Sequence, residues 1–292
     1  MPDRIIWTAL LLCASAAMAW AQASMLSPPL SQYGPLRAPS LQSRGLQSDV
    51  RYAVETALNQ SAAASTKAME AEALMRQARR AAGDGREAAR KAERGQRGYA
   101  SLRVELGRES CRYGGEIRRG RAHGVGVMNC GRTSYAGQFR DGRPEGLVVI
   151  ERPNGGYAGQ YRNGRPDGLG GDYARGAADA YEGEYRDGAR MGLGIERDKD
   201  GFYPGQYGFF TDARGRRTNM ELSGTQDFRG SHWAGTYGAY AGPKIACRLI
   251  EGAVLEGSVL DGLGAKFDSR GRVTEQGRYR LGILENSKAP PC

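Results

Sequence analysis

Cysteines, histidines, paired carboxylates and a run of arginines are the residues in this sequence whose spacing could support chemistry. Cys13 sits in an apolar N-terminal stretch, which leaves Cys111, Cys130, Cys247 and Cys292. Four cysteines allow three pairings. Their spacing has none of the close-set pairs that hold zinc, and His123 and His232 stand alone, so no metal ligands and no cofactor are expected. Disulfides suit an oxidising compartment. Cys111 and Cys130 lie at nearly equal distance on either side of Gly120, as they would on the two strands of one hairpin, so the expected pairs are Cys111–Cys130 and Cys247–Cys292. Glu182 and Glu184 alternate on one strand face in the manner of a glycosidase pair, but they stand beside a turn, where solvated charges are ordinary. No Ser-His-Asp set and no phosphate-binding glycine loop is present, so no catalytic residue is assigned and the chain is read as a binding protein rather than an enzyme.

The arginines are concentrated. Residues 76–121 hold fourteen Lys/Arg against six Asp/Glu, whereas residues 122–292 hold twenty-three against twenty-one. Most of the net charge of +10 is therefore local. Arg76, Arg79, Arg80, Arg86 and Arg90 form a candidate site for an anionic surface such as phospholipid headgroups or an acidic envelope polymer. The plain alternative is a solvated, arginine-rich helix. The stretch lacks the interleaved aromatics that stack on bases, and nucleic acid is not expected as a partner.

The elements that must carry these residues follow from composition. Met1 to Arg4 is basic and Ile5 to Ala19 is apolar but short, the shape of a signal peptide, with cleavage after Ala19 or, preferred here, after Ala23. A retained anchor is the alternative. Periplasmic or secreted localisation is the expectation. Residues 24–48, with Pro28, Pro29, Pro35 and Pro39, read as a linker. Residues 49–97 read as an Ala/Arg-rich helical segment, with Val50, Val54, Leu58, Ala62, Ser65, Met69 and Ala73 on one stripe. It should pause at Gly83-Asp84-Gly85, where Asp84 can cap a second short helix with Glu87 as its box partner. So thin a stripe must be covered, either by another copy in coiled-coil fashion or by the repeats that follow.

Those repeats begin near Tyr113. Tyr113-Gly114-Gly115, Tyr135-Ala-Gly137-Gln-Phe139, Tyr157-Ala-Gly159-Gln-Tyr161, Tyr181-Glu-Gly183-Glu-Tyr185 and Tyr203-Pro-Gly205-Gln-Tyr207 open five segments at intervals of 22, 22, 24 and 22 residues. Gly120, Gly142, Gly164 and Gly188 follow seven residues after the first four tyrosines, three of them behind Asp141, Asn163 or Asp187, which marks tight hairpin turns. Phe210 replaces the turn glycine in the fifth. Second strands open at Gly124, Gly146, Gly168 and Gly192. Tyrosine, glycine and aromatic share one strand face, so a ring from a neighbouring hairpin is expected to lie against each bare glycine. One hairpin buries too little to be stable, and the repeats require each other. The tyrosines are read as packing rather than as ligand contacts. Arg140, Arg143, Arg162, Arg165, Arg186 and Arg190 recur near the turns with acidic neighbours, giving a mixed, solvated rim.

The pattern Tyr-x-Gly-x-aromatic, turn glycine, then Gly-x-Gly resembles the MORN (membrane occupation and recognition nexus) repeat over residues 113–209, and more loosely over 252–284. Leu222-Ser-Gly224 and Trp233-Ala-Gly235-Thr-Tyr237 resemble decayed copies between them. The resemblance implies a mainly β fold, an elongated single twisted sheet of stacked antiparallel hairpins preceded by the α-helical segment, with repeats over 98–209 and degenerate repeats and a cap over 210–292. It also implies association, with a protein partner or by self-association, as in scaffolds that often dimerise. A cell-envelope scaffold and a binding module for an anionic surface, acting through residues 76–121, are the two functions carried forward.

Overall fold

The computed structural model describes residues 45–175, 179–198, 201–211, 217–228, 231–240, 257–280 and 282–285. The leader, most of the linker, and Cys247 and Cys292 with their expected pairing lie outside the described residues. Among the described residues, one helix, α1 (Ser48–Glu93), precedes fifteen strands: β1 (Tyr99–Leu106), β2 (Glu109–Arg118), β3 (Arg121–Cys130), β4 (Thr133–Arg140), β5 (Arg143–Arg152), β6 (Gly155–Arg162), β7 (Arg165–Ala174), β8 (Ala180–Arg186), β9 (Ala189–Arg197), β10 (Gly201–Thr211), β11 (Arg217–Phe228), β12 (Ser231–Tyr240), β13 (Gly257–Phe267), β14 (Val273–Arg280) and β15 (Ile283–Leu284). The strands form one open antiparallel sheet in strict chain order. The fold is mainly β, as the repeat pattern implies.

Turn chemistry fixes the hairpins. Arg119–Gly120, Asp141–Gly142, Asn163–Gly164 and Asp187–Gly188 all have positive φ at both residues, the type I′ geometry whose twist matches that of the flanking strands. Glycine, aspartate and asparagine tolerate this conformation, and Arg119 adopts it without their help. Each hairpin then shifts register once just beyond the repeat glycine, at Gly115/Ile117, Gly137/Phe139, Gly159/Tyr161 and Gly183/Tyr185.

Strand alternation divides the sheet into two faces. On one face a row of glycines crosses the strands, Gly115, Gly126 and Gly137, then Val148, then Gly159, Gly170, Gly183, Gly194, Gly205, Gly224, Gly235, Gly264 and Gly277, each opposite the next. The decayed copies stay in this row, so the sheet continues unbroken through them. On the other face a second row runs Ser101, Gly114, Val127, Ala136, Val149, Ala158, Gly171, Glu182, Ile195 and Pro204, and continues in Thr225, Ala234, Ala265 and Gln276.

The helix lies along this second row and packs against every strand from β1 to β14. The lengths agree: 46 residues at 1.5 Å each give about 69 Å, and fourteen strands at 4.8 Å spacing span about 62 Å. Leu46, Val50 and Val54 pack on Ala234, Ala265 and Phe267, Ala68 on Ile195, and Met75, Ala78 and Ala82 on Ala136, Val149 and Ala158. The helix therefore runs from the β13 end to the β1 end. Its start is held by Gln276, whose Oε1 accepts the Gln47 N–H at 2.9 Å and whose Nε2 donates to the Gly45 carbonyl at 2.8 Å.

Two expectations about the helix are corrected. It does not pause at Gly83-Asp84-Gly85, because buried Gly85 passes directly over the Gly126 backbone, where a Cβ would collide with the carbonyl oxygen. The glycine allows close contact rather than a break. The buried stripe agrees with expectation at Val50 and Val54 and then runs Ala57, Ser61, Ala64, Ala68, Ala71, Met75, Ala78, Ala82 and Gly85, whereas Met69 is 58 % exposed. Alternating steps of four and three keep a straight seam facing a partner, and here that partner is the protein's own sheet.

Candidate functional site

The tyrosine face is closed by its own residues. Tyr113, Tyr157 and Tyr181 fold back over the glycine two positions ahead and the glycine opposite it, and each hydroxyl donates to the carbonyl three residues on, at Glu116 (2.7 Å), Gln160 (2.6 Å) and Glu184 (3.1 Å). The ring over these glycines thus comes from the same hairpin, not from a neighbouring one as expected. Only there can the hydroxyl reach the carbonyl freed by the register shift. Neighbouring hairpins meet ring to ring instead: Tyr113 with Phe139 at 5.0 Å, Tyr157 with Tyr185 at 5.2 Å and Tyr181 with Tyr207 at 4.9 Å, all edge to face. Half-buried Tyr135 meets Tyr161 at 6.4 Å. Tyr203 donates to Asp198. Burial raises the hydroxyl pKa along the seam, Tyr161 to about 12 and Tyr185 and Tyr207 well above the ordinary value. These hydroxyls stay protonated and uncharged at neutral pH.

Two further devices on these strands are not evident from residue types alone. The residue after each repeat glycine, Glu116, Gln138, Gln160 or Glu184, turns its side chain to accept the N–H of Val125, Leu147, Leu169 or Leu193, covering the glycine that opens the second strand. Its spacing was visible in the repeat. Glu184 therefore has a structural use apart from Glu182. Within the seam, Asp172 accepts from Tyr185 at 2.8 Å and from Arg190 at 2.6 Å, and Arg190 also binds Glu196 at 2.5 Å. Arg190 belongs to this half-buried network and not to a solvated rim.

The expected Cys111–Cys130 disulfide is present, with the two Cα atoms 4.4 Å apart. Glu109 lies within reach of these sulfurs. Both are spent in the disulfide, so this trio lacks the thiolates a metal would need.

The helix face holds the arginines. Arg76, Arg79, Arg80 and Arg90 are exposed on the outer side of α1 and Arg86 is half-buried. Arg76 binds Glu72 at 2.8 Å, Arg86 binds Glu151 at 3.2 Å and Arg90 lies 3.7 Å from Glu87. Arg79 and Arg80 have no ion pair among the described residues. Beneath them, between helix and sheet, the Glu182 carboxyl is 7 % exposed and burial pushes its pKa up to about 7, opposed by Arg197 and reinforced by Glu72. Its Oε2 has no hydrogen-bond partner among the described residues. No helix among the described residues is long and apolar enough to cross a membrane.

An open sheet of stacked hairpins with a helix laid on one face is a repeat-built architecture. The MORN repeat model matches residues 113–131, 135–156, 157–170 and 181–202, so the chain carries four MORN repeats, lying along β2 to β10. Strands β11 to β15 continue the same sheet beyond the matched residues. The search of curated proteins finds no match.

Proposed function

We propose that this chain is a non-catalytic, exported MORN-repeat platform of the cell envelope that binds an anionic surface through the outer side of α1. The observation that carries this reading is that the helix is clasped along its own sheet while Arg76, Arg79, Arg80 and Arg90 remain exposed on its far side. The clasp uses the apolar stripe within the molecule, so the stripe is not left over for a partner helix. The arginines are left over, and residues 76–97 hold eight basic side chains against three acidic ones. Phosphate- or carboxylate-bearing groups suit guanidinium, which binds both in a bidentate fork. Export is supported by the leader-like first residues and by the Cys111–Cys130 disulfide, which an oxidising compartment preserves. The non-catalytic reading is supported by the structural use of Glu184, one of the two candidate carboxylates, which accepts the Leu193 N–H.

The test is sedimentation with vesicles of anionic and of zwitterionic phospholipid, and a parallel pull-down on an acidic polysaccharide resin, at low and high salt. Binding to at least one anionic partner that weakens sharply with salt, and is lost on neutralising Arg76, Arg79, Arg80 and Arg90 to Gln, is expected. The two arms separate lipid from polymer. Salt-independent binding that survives the substitutions would favour the scaffold reading, with a protein partner on the sheet.

A further inference from the structure

The two edges of the sheet differ. At one end β15 is a two-residue strand, one of the ways sheets blunt an edge. At the other end, β1 is an eight-residue strand with β2 on one side and no strand on the other among the described residues. Leu106 and Glu109 flank the two-residue turn at Gly107–Arg108, so the residues in phase with Leu106 bond to β2. The Ile117 N–H donating to the Gly98 carbonyl keeps the same phase. The N–H and C=O groups of Ser101, Arg103 and Glu105 therefore point outward, and these three residues are exposed. Leu102, Val104 and Leu106 extend the cluster around Tyr113 and the disulfide, yet remain half-buried where that cluster meets the open edge.

We propose that this edge binds a second copy of the chain, the two β1 strands pairing antiparallel about Val104. Charge selects both partner and register. With Val104 opposite its counterpart, each outward-bonding Arg103 faces Glu105 of the other copy, giving two opposite-charge pairs on one face. On the other face Leu102 lies opposite Leu106, and the two Val104 side chains meet where cross-strand side chains approach most closely. A slip that centres the pair on Arg103 sets arginine against arginine, so the alternative is penalised. The occupant is a copy of the chain because one strand supplies both halves of the complementarity. The described chain starts with Gly45 and Leu46 at the β13 end of the sheet, about 60 Å from β1 at the usual strand spacing, and Pro28, Pro29, Pro35 and Pro39 lack the N–H that edge pairing requires. Antiparallel pairing within one sheet leaves both helices on the same face, so the dimer presents two arginine surfaces side by side.

Sedimentation equilibrium of the purified full chain over a dilution series tests the proposal. A monomer–dimer equilibrium is expected, since a single pair of edge strands buries a small interface that dissociates on dilution. Arg103→Glu and Glu105→Arg should each weaken it at least tenfold. The double exchange, Arg103→Glu with Glu105→Arg, should restore it. Arg103→Pro, which removes an outward-facing N–H, should give a monomer, with far-UV circular dichroism and thermal midpoint confirming that each variant is folded. The helix variant with Arg76, Arg79, Arg80 and Arg90 neutralised should dimerise like the natural chain, so failure of the anionic-surface reading leaves this result standing. A natural chain that is monomeric throughout, single exchanges that associate undiminished, or a double exchange that does not recover would each overturn the proposal.

Discussion

The two faces of this sheet solve the same problem by different means. A single-layered sheet must cover both faces with something. On the tyrosine face the repeats carry their own cover: in β2, β6 and β8 a ring folds over the glycine two residues ahead and the glycine opposite it, and is tied to a carbonyl three residues on. On the opposite face the cover is one helix from earlier in the chain, and the strands contribute only a low row, from Gly114 through Ala136, Ala158 and Gly171 to Ala234. A face closed locally must repeat in sequence, because every hairpin meets the same requirement. A face closed from a distance need only be flat, and its residues are free to vary. That difference explains why Glu182, Ile195 and Pro204 interrupt one row while glycine persists in the other at every position but Val148.

The strongest test of this contrast is to fill the glycine row. A Cβ at Gly159 would lie 2.5 Å from the Gly170 Cα and 2.7 Å from the Tyr157 hydroxyl, with φ at +152°. Neither backbone can move without parting the strands. Gly159→Val is expected to cost about 3 kcal/mol and to lower the thermal midpoint by about 6–12 °C, measured by calorimetry. An unchanged midpoint would mean that the ring is not held against the backbone as described.

The tyrosine face was legible because its code is short: tyrosine, glycine and aromatic at every second position, then Asp-Gly or Asn-Gly. Hairpin pairing, the Cys111–Cys130 bridge and the type I′ turns followed from it. The helix face was not legible. In a stretch where Ala57, Ala62, Ala64, Ala68, Ala71 and Ala73 are all alike, composition singles out no side, so a stripe drawn through Met69 was as consistent as the true one through Ala68 and Ala71. The seam is chosen by a surface far along the chain, from Gly126, 41 positions after Gly85, to Phe267, 217 positions after Val50. The arginine cluster could be placed on a helix, but only the clasp shows which side it faces.

A second test exploits the buried carboxyl on the helix face. Because burial raises the Glu182 pKa in the folded chain to about 7 from 4.5, the folded state holds a proton there that the unfolded state has lost. Between these two values stability must fall as pH rises; the contribution is complete below 4.5 and gone above 7. Glu182→Gln should therefore raise stability at pH 8 by about 2 kcal/mol and flatten the dependence between pH 5 and 7, read by urea unfolding at a series of pH values. A variant as pH-dependent as the natural chain would place the titration elsewhere, with Glu221, raised to about 8 on the tyrosine face, as the next group to replace.

The finest discrimination comes from two glycines two residues apart on α1. Gly83 faces solvent with nothing within 4 Å of an added Cβ, whereas Gly85 rides on the Gly126 backbone. Exchanging an exposed helical glycine for alanine removes freedom from the unfolded chain and improves helix propensity, so Gly83→Ala should stabilise by about 0.5–1 kcal/mol. The same exchange at Gly85 gains the same propensity but forces the helix away from β3, and it should destabilise on balance. Thermal midpoints that move in opposite directions, with hydrogen exchange rising along α1 only in Gly85→Ala, are the expected result. If both alanines stabilise, α1 does not lie in contact with the sheet at this point, and the arginines borne by the same stretch lose the fixed outward orientation on which the proposed surface depends.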